Sequence, residues 1–251
     1  MIEPLVDRSD FRKRVREAWA ENSLYWLSEP LRHVVDVGDY IIERILALTG
    51  SSDECRLIDM GCGDCWILER LIQSGTAIRY NGFDSNPEFV VAAQRRYRPY
   101  ELVEFEAIDV ENEDPGREGR ADLVVNSFNF FELADLEAAM RNVSRWLKPG
   151  GKLLMSTIDP TYLVLAVSKD WKTLHDNLRQ LVEYPGVKFA FQKIDLGNGL
   201  SEVLEYPSVL HSREDFLVAA NQAGLKFYDY KEHLFTHRAI PKIYYHMEFI
   251  K

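Results

Sequence analysis

The sequence predicts a doubly wound α/β fold, and three observations carry that expectation. From residue 51 to 158, short apolar runs alternate with amphipathic stretches, giving strand, helix, strand, helix. Parallel neighbours need a crossover, so this alternation implies a parallel sheet with helices on both faces. The run LIDMGCGDCWILERL, residues 57–71, passes from an apolar strand through two glycines into a helix. Such a turn brings backbone N–H groups and a helix N-terminus to the carboxyl edge of the sheet, where doubly wound folds bind ligands. Helix ends are also marked, by Pro87 in the first turn of PEFVVAAQRRY and by Lys148-Pro149-Gly150-Gly151 after ADLEAAMRNVSRWL.

Taken in order, residues 1 to about 50 read as helical: FRKRVREAWAEN, then VGDYIIERILALTG stopped by Gly50. Between them SLYWLSEPLRH is aromatic and interrupted by Pro30. Strands are expected at 56–60, 78–84, 103–108, 122–128 and 152–158, with helices at CWILERLIQSG, PEFVVAAQRRY and ADLEAAMRNVSRWL. Beyond Ile158 the regularity breaks, and TYLVLAVSKDWKTLHDNLRQLVEYPG reads as one or two helices inserted after the fifth strand. VKFAFQKI and LSEVLEYPSV flank Asp195-Leu196-Gly197-Asn198-Gly199 as a hairpin. SREDFLVAANQAG is a helix with Ser212 as N-cap, Asp215 three residues on and Gly224 as stop; strands LKFYDY and KIYYHMEFI follow. The expected organisation is one domain over 1–251: a helical lid (1–50), a cofactor-binding core (51–158), a substrate-cap insertion (159–210) and a C-terminal helix with strands (211–251).

With 251 residues and 46% hydrophobic content the chain can fill a proper core. Its 30 Lys+Arg against 40 Asp+Glu leave a formal charge of −10, and no long basic run is present to track a phosphate backbone, so nucleic acid is not the expected partner. The charged amino terminus lacks the apolar core of a signal peptide, and no apolar run approaches the ~20 residues that span a bilayer. No membrane partner and a cytoplasmic location are therefore expected, with the oligomeric state left open. Cys55, Cys62 and Cys65 do not look like a secreted disulfide framework, and Cys62-x-x-Cys65 lacks the second pair of ligands zinc needs, so no metal is expected. The acidic run Glu111-Asn112-Glu113-Asp114 reads as a solvated loop.

Two ligands compete for the glycine turn. A dinucleotide expects Gly-x-Gly-x-x-Gly, the last glycine allowing close helix-to-strand packing, but Gly61 and Gly63 are followed there by Trp66. Asp59 and Asp64 would also set carboxylates near a diphosphate that wants donors. A cofactor without phosphates but with an ammonium and a sulfonium inverts that preference. The apolar run with Asp59, Gly61, Cys62 and Gly63 resembles the first motif of the class I S-adenosylmethionine-dependent methyltransferases, with Cys65 where that family usually has a third small residue.

The resemblance covers residues 55 to 158 well and 211 to 250 weakly. It implies a Rossmann-like seven-stranded sheet, mostly parallel with an antiparallel last strand, and S-adenosylmethionine as cofactor. It implies that Asp84, 21 residues after Gly63, grips the ribose hydroxyls with Ser85 alongside, although this spacing also fits a NAD-type site. Asp109 is then expected beside the adenine amino group, with Val110 packed on the ring. Asn126 and Ser127 fall near the methionine portion together with Phe128, and Phe130 or Phe131 faces the substrate. Tyr25 and Trp26 would cover the cofactor and the substrate, and WLKPGGKLLMS is similar to the helix-turn-strand that follows in many such enzymes.

Methyl transfer is an in-line displacement whose rate comes largely from orientation and exclusion of water, so a matched acid/base pair is not required. Of the six histidines, His211 in VLHSREDF is the expected catalytic residue, set against the plainer reading that it only precedes an N-cap; His33 and His237 are secondary candidates. Methyltransferases that act on nucleobase or glutamine amino groups carry Asn/Asp-Pro-Pro-aromatic after the fourth strand, whereas this chain has Asn126-Ser127-Phe128-Asn129. The aromatics Tyr162, Trp171, Tyr184, Phe189 and Phe191 point to an enclosed pocket, with Phe128, Phe131, Trp26 and Tyr162 as substrate contacts. The expected activity is methyl transfer to a small organic molecule of specialised metabolism, at oxygen rather than nitrogen or carbon. The alternatives are a protein that holds S-adenosylmethionine without transferring its methyl group, or a nucleotide-dependent oxidoreductase.

Overall fold

The computed structural model describes residues 3–4, 7–28, 37–50, 54–76, 78–112, 116, 118–168, 170–183, 188–195, 203–237 and 240–251. β1 (Glu3–Pro4), α1 (Arg8–Ser28) and α2 (Gly38–Thr49) come first. The core follows as β2 (Arg56–Met60), α3 (Trp66–Gln73), β3 (Arg79–Asp84), α4 (Pro87–Arg96), β4 (Val103–Ala107), β5 (Ala121–Ser127), α5 (Leu136–Trp146) and β6 (Leu147–Ile158). The chain ends with α6 (Pro160–Val167), α7 (Trp171–Glu183), β7 (Lys188–Asp195), β8 (Val203–Val209), α8 (Arg213–Gln222), β9 (Lys226–His237) and β10 (Ile240–Ile250).

Seven strands form the main sheet in the order β4-β3-β2-β5-β6-β10-β9. The first five are mutually parallel, and β10 runs antiparallel to both of its neighbours, as the resemblance implied. After β4 the chain returns to the other side of β2, so the strand order reverses between β2 and β5. At such a reversal the loops part and leave a crevice at the carboxyl ends of the strands.

The central strands are buried on both faces and so read as continuous apolar runs. Ile58, Met60, Val124, Met155 and Met247 pack one face against Val143, Trp146 and Phe216 of α5 and α8. Leu57, Leu123, Val125 and Leu154 pack the other against Ile41, Ile45, Ile67 and Leu71 of α2 and α3. α5 shows why these segments are helical: Asp135 caps it by accepting the Ala138 N–H, and Leu136, Ala139, Met140, Val143 and Trp146 recur at helical spacing on its buried face. Burying each large apolar side chain of that stripe contributes about 1.5–3 kcal/mol.

Departures from the sequence reading have local causes. α1 runs through SLYWLS to Ser28, since nothing before Pro30 breaks a helix. β9 reaches His237, well beyond LKFYDY, and β10 starts at Ile240, two residues before KIYYHMEFI. The polar KEHLFTH segment hides that strand from pattern reading, and it is tolerated because β9 is an edge strand, where Leu234 is 69% exposed. β7 and β8 do pair as the expected hairpin, and Glu3–Pro4 adds to β7, so the amino terminus is not wholly helical. Residues 196–202 between them lie outside the described residues.

Candidate functional site

β2 ends in a turn that hooks onto β3: the Gly61 and Cys62 N–H groups donate to the Phe83 carbonyl at 2.8 and 2.9 Å. Gly61 has φ 77°, and a Cβ there would meet Asn129 Cγ at 2.6 Å, so both conformation and space demand glycine. A Cβ on Gly63, at φ 49°, would meet nothing within 4 Å, so this residue faces open space. Cys65, at the position of the third small residue, is left-handed (φ 64°) as N-cap of α3, and its N–H donates to the Cys62 carbonyl at 2.8 Å. The three thiols are free and buried, and a hydrogen bond to Cys65, together with burial, holds the Cys62 thiol well above its ordinary range. Trp66 packs into the core beside α3's other apolar residues.

The two carboxylates flanking this turn differ in setting. Asp84, at the end of β3, accepts the Gly63 N–H on Oδ2 at 2.9 Å and the Asn86 N–H on Oδ1 at 2.8 Å. Each oxygen keeps a lone pair for a further donor. Burial raises its pKa to about 6, and the two backbone bonds act against that rise. Asp59 is only 2% exposed and accepts the Tyr80 hydroxyl at 2.5 Å, so it lies beneath the turn. Loss of water lifts it to about 7. Ser85 is exposed beside Asp84.

After β4, Asp109 accepts the Glu111 N–H at 3.1 Å and the Asn112 amide at 2.8 Å, while Val110 is buried in the core cluster. At the end of β5, Asn126 is fully buried and acts as a strut: it donates to the Met60 carbonyl at 3.1 Å and accepts the Phe130 N–H at 3.2 Å. Ser127 Oγ is buried with no partner among the described residues. Phe128 is left-handed (φ 64°), with its ring 5.5 Å from that of Tyr244. Phe130 is core, packed on Phe216, and the Phe131 side chain lies outside the described residues.

Two acids here escaped the sequence reading. Glu132 is 7% exposed, and burial holds its carboxyl well above the usual range, opposed by the nearby Trp19 indole and by the Asn129 amide, which donates to it at 3.4 Å. Glu111, expected in a solvated loop, is also 7% exposed: it accepts the Asp135 N–H, faces Arg12 at 4.0 Å, and is pushed up to about 7 by burial. The signal available was weak, a single acid inside the aromatic run FNFFEL and an acid next to Val110.

α1 lies along this edge and binds it with one face. Arg8 pairs with Asp135 at 3.0 Å, Arg12 with Glu111, and Arg16 with Asp109 at 3.5 Å, a ladder at spacing four. Further on, the Trp19 ring meets Phe89 at 6.2 Å, the Trp19 carbonyl accepts the Asn86 amide at 3.2 Å, and the Ser23 hydroxyl reaches Glu88. The side chains of Tyr25 and Trp26 lie outside the described residues, as do His33 and the side chain of His237.

His211 is buried, and its Nε2 meets the Leu133 carbonyl at 2.8 Å. A carbonyl only accepts, so the proton sits on Nε2; burial lowers the pKa of the ring. Tyr162 is half-buried on α6, whereas Trp171 is 86% exposed and so does not line an enclosed pocket. Tyr184 and the side chains of Phe189 and Phe191 lie outside the described residues. Among the described residues no group of three or more His, Cys, Asp or Glu forms a metal cage, and no helix is long and apolar enough to cross a membrane.

The donor set suits a ligand with hydroxyls and positive charge. Asp84 retains acceptor capacity, Gly63 opens onto space, and the arginines at the rim are taken up by acids, so a diphosphate would meet carboxylates.

Residues 58–155 match the family model described as "Methyltransferase domain". Over 152 residues the chain is 26% identical to the non-reducing polyketide synthase tazA of Aspergillus terreus, covering 57% of this chain and 6% of the synthase. The chain thus spans a small fraction of that relative's length. The 1,6-didemethyltoxoflavin-N1-methyltransferase of Burkholderia thailandensis, solved with 1,6-didemethyltoxoflavin and S-adenosylhomocysteine bound, has a TM-score of 0.62 at 15% identity, covering 99% of this chain and 92% of that one. The N-methyltransferase NodS of Bradyrhizobium japonicum, in complex with S-adenosylhomocysteine, gives 0.56 at 14% identity, covering 92% and 97%. At such identities the two structures show a shared fold.

Proposed function

Residues 58–155 belong to the class I S-adenosylmethionine-dependent methyltransferases, and from that premise we propose that this chain moves a methyl group to an oxygen of a small organic acceptor. The observation that carries the reading is Asp84 bound to the Gly63 N–H at the point where the strand order reverses. When bound, S-adenosylmethionine supplies a methyl group on a positively charged sulfur, a charge that disappears as the acceptor bond forms.

The strand order β4-β3-β2-β5 offers a path for that cofactor. Asp109 and Val110 would hold the adenine, Asp84 and Ser85 the ribose, and Gly61, Cys62, Gly63, Asn126 and Ser127 the methionine portion. Asp59 supports the turn from below through Tyr80. The contribution of α1 is to cover the edge and exclude water, which leaves orientation as the main source of rate. Phe128 and Phe131 would line the acceptor side.

A net charge of −10 and the proline-free Asn126-Ser127-Phe128-Asn129 support a small acceptor over nucleic acid. The similarity to a polyketide synthase supports a polyketide-like acceptor in specialised metabolism. Such molecules carry enol and phenol hydroxyls, which ionise readily and ask little of a base. Incubation with S-adenosylmethionine and a panel of phenols, enols and amines should give acceptor-dependent S-adenosylhomocysteine and an O-methyl product by mass spectrometry. A product methylated on nitrogen or carbon would overturn the oxygen assignment, and cofactor binding without turnover on any acceptor would favour a protein that holds the methyl donor unused.

A further inference from the structure

Glu132 is a deeply set acid at the carboxyl edge to which the scheme above gives no role. It closes the one-turn 3-10 helix Phe130–Glu132 that follows β5, and it is more than nine-tenths buried. Its contacts are thin for a buried acid. The Asn129 amide donates at 3.4 Å, the Trp19 indole of α1 acts from the lid side, and no Lys or Arg pairs with it among the described residues. A buried carboxyl left in that state resists ionisation, and the nearby Asp84 pushes in the same direction as burial.

Asn129 ties this acid to the glycine turn. Its side chain fills the space over Gly61, 2.6–2.7 Å from where a Cβ would stand, and its Oδ1 accepts the Asn126 amide at 3.3 Å while its own amide turns to Glu132. If the ribose lies over Asp84, the remainder of the cofactor crosses the turn toward β5, where Asn129 and Glu132 stand. Asp59, the acid of the first motif, is bound to Tyr80 under the turn.

We propose that Glu132, with Asn129 beside it, is the binding site for the α-ammonium group at the methionine end of the cofactor. The inference rests on the cofactor reading given above. An ammonium arriving here gives the carboxyl the positive partner that the protein withholds, in a low-dielectric setting that strengthens the pair. The neutral acid then loses its proton to solvent and a charge-assisted hydrogen bond forms.

The test compares two ligands by calorimetry on the full chain: S-adenosylhomocysteine, and 5′-methylthioadenosine, which keeps the nucleoside and thioether but lacks the amino acid. The substitution Glu132→Gln preserves shape and removes the capacity to ionise. The expected result is that S-adenosylhomocysteine binds about ten-fold more weakly to the variant while 5′-methylthioadenosine binds within about two-fold of wild type. Retained methylthioadenosine binding also shows that the variant is folded. On the wild-type protein, S-adenosylhomocysteine stripped of its amino group should bind about ten-fold more weakly than the parent, a readout that needs no variant. Unchanged S-adenosylhomocysteine affinity in the variant, or no penalty for the missing amine, would overturn the assignment. Failure of the wild type to bind either nucleoside would instead bring down the cofactor reading itself.

Discussion

Asp84 closes the glycine turn: its Oδ2 accepts the Gly63 N–H at 2.9 Å while Oδ1 accepts the Asn86 N–H at 2.8 Å. One side chain thereby sets the conformation of the loop after β2 and the start of α4. Asp84→Ala should remove the ribose acceptor and loosen the turn together. S-adenosylhomocysteine affinity is expected to fall at least about ten-fold, since hydrogen bonds to a charged group contribute about 1.5–3 kcal/mol each. Calorimetry reads this directly, and an unchanged affinity would show that the ribose lies elsewhere.

Asp59 gives the ligand-free protein a characteristic pH dependence. Burial raises this acid from its ordinary value near 3.8 to about 7. A raised acid contributes stability that is fully present below its unfolded pKa and is lost as pH rises through the folded one. Asp84, at about 6, and Glu111, at about 7, act in the same direction. In Asp59→Asn the amide oxygen still accepts the Tyr80 hydroxyl, and the cost of ionisation is gone. Thermal melting should show the variant gaining Tm over wild type progressively from about pH 4 to about pH 7 and holding that gain above it. A difference that does not vary with pH would contradict this.

Arg12 and Arg16 hold α1 to Glu111 and Asp109, at 4.0 and 3.5 Å. The Arg16–Asp109 pair is exposed enough to contribute about 0–1 kcal/mol, whereas Arg12 faces an almost wholly buried acid, so its loss should cost more. The double substitution Arg12→Gln, Arg16→Gln is expected to speed amide exchange across residues 8–28 and to weaken S-adenosylhomocysteine binding by about two- to ten-fold through faster release. Added salt should reduce the gap between variant and wild type. Exchange rates in α1 equal to wild type would show that the ladder does not hold this helix.

His211 was the catalytic candidate, and in the structure its Nε2–H is committed to the Leu133 carbonyl. Removing the donor leaves a buried carbonyl unpaired, at a cost of about 1–3 kcal/mol. His211→Leu should therefore lower Tm clearly, whereas His211→Gln, which can still donate an N–H, should lower it less. In both, methyl transfer should track the folded fraction. Turnover lost with Tm and cofactor affinity unchanged would assign this ring a proton-transfer role.

Much of the fold was legible because local rules decide it. Ser212 and Asp215 form the capping box that their spacing announced, and the apolar runs marked the positions of strands β2 to β6. Gly61 and Gly63 pointed to the crevice because a strand that turns into a helix through two glycines sits at the carboxyl edge of the sheet, and both do take the left-handed conformation such a turn needs. What escaped was decided by distant partners. Glu132 is buried because Trp19 of α1 comes to lie near it, and Glu111 because it meets Asp135 and Arg12, contacts that neighbouring residues in the chain do not encode. The length of β9 was hidden for a related reason, since an edge strand need not show an alternating pattern.

The most direct measurement is a parallel calorimetric titration of the purified chain with S-adenosylhomocysteine and with NADH. The account predicts saturable micromolar binding of S-adenosylhomocysteine at one site per chain, and no NADH binding, because Trp66 and the acids at the turn disfavour a dinucleotide. NADH binding in the absence of S-adenosylhomocysteine binding would contradict it.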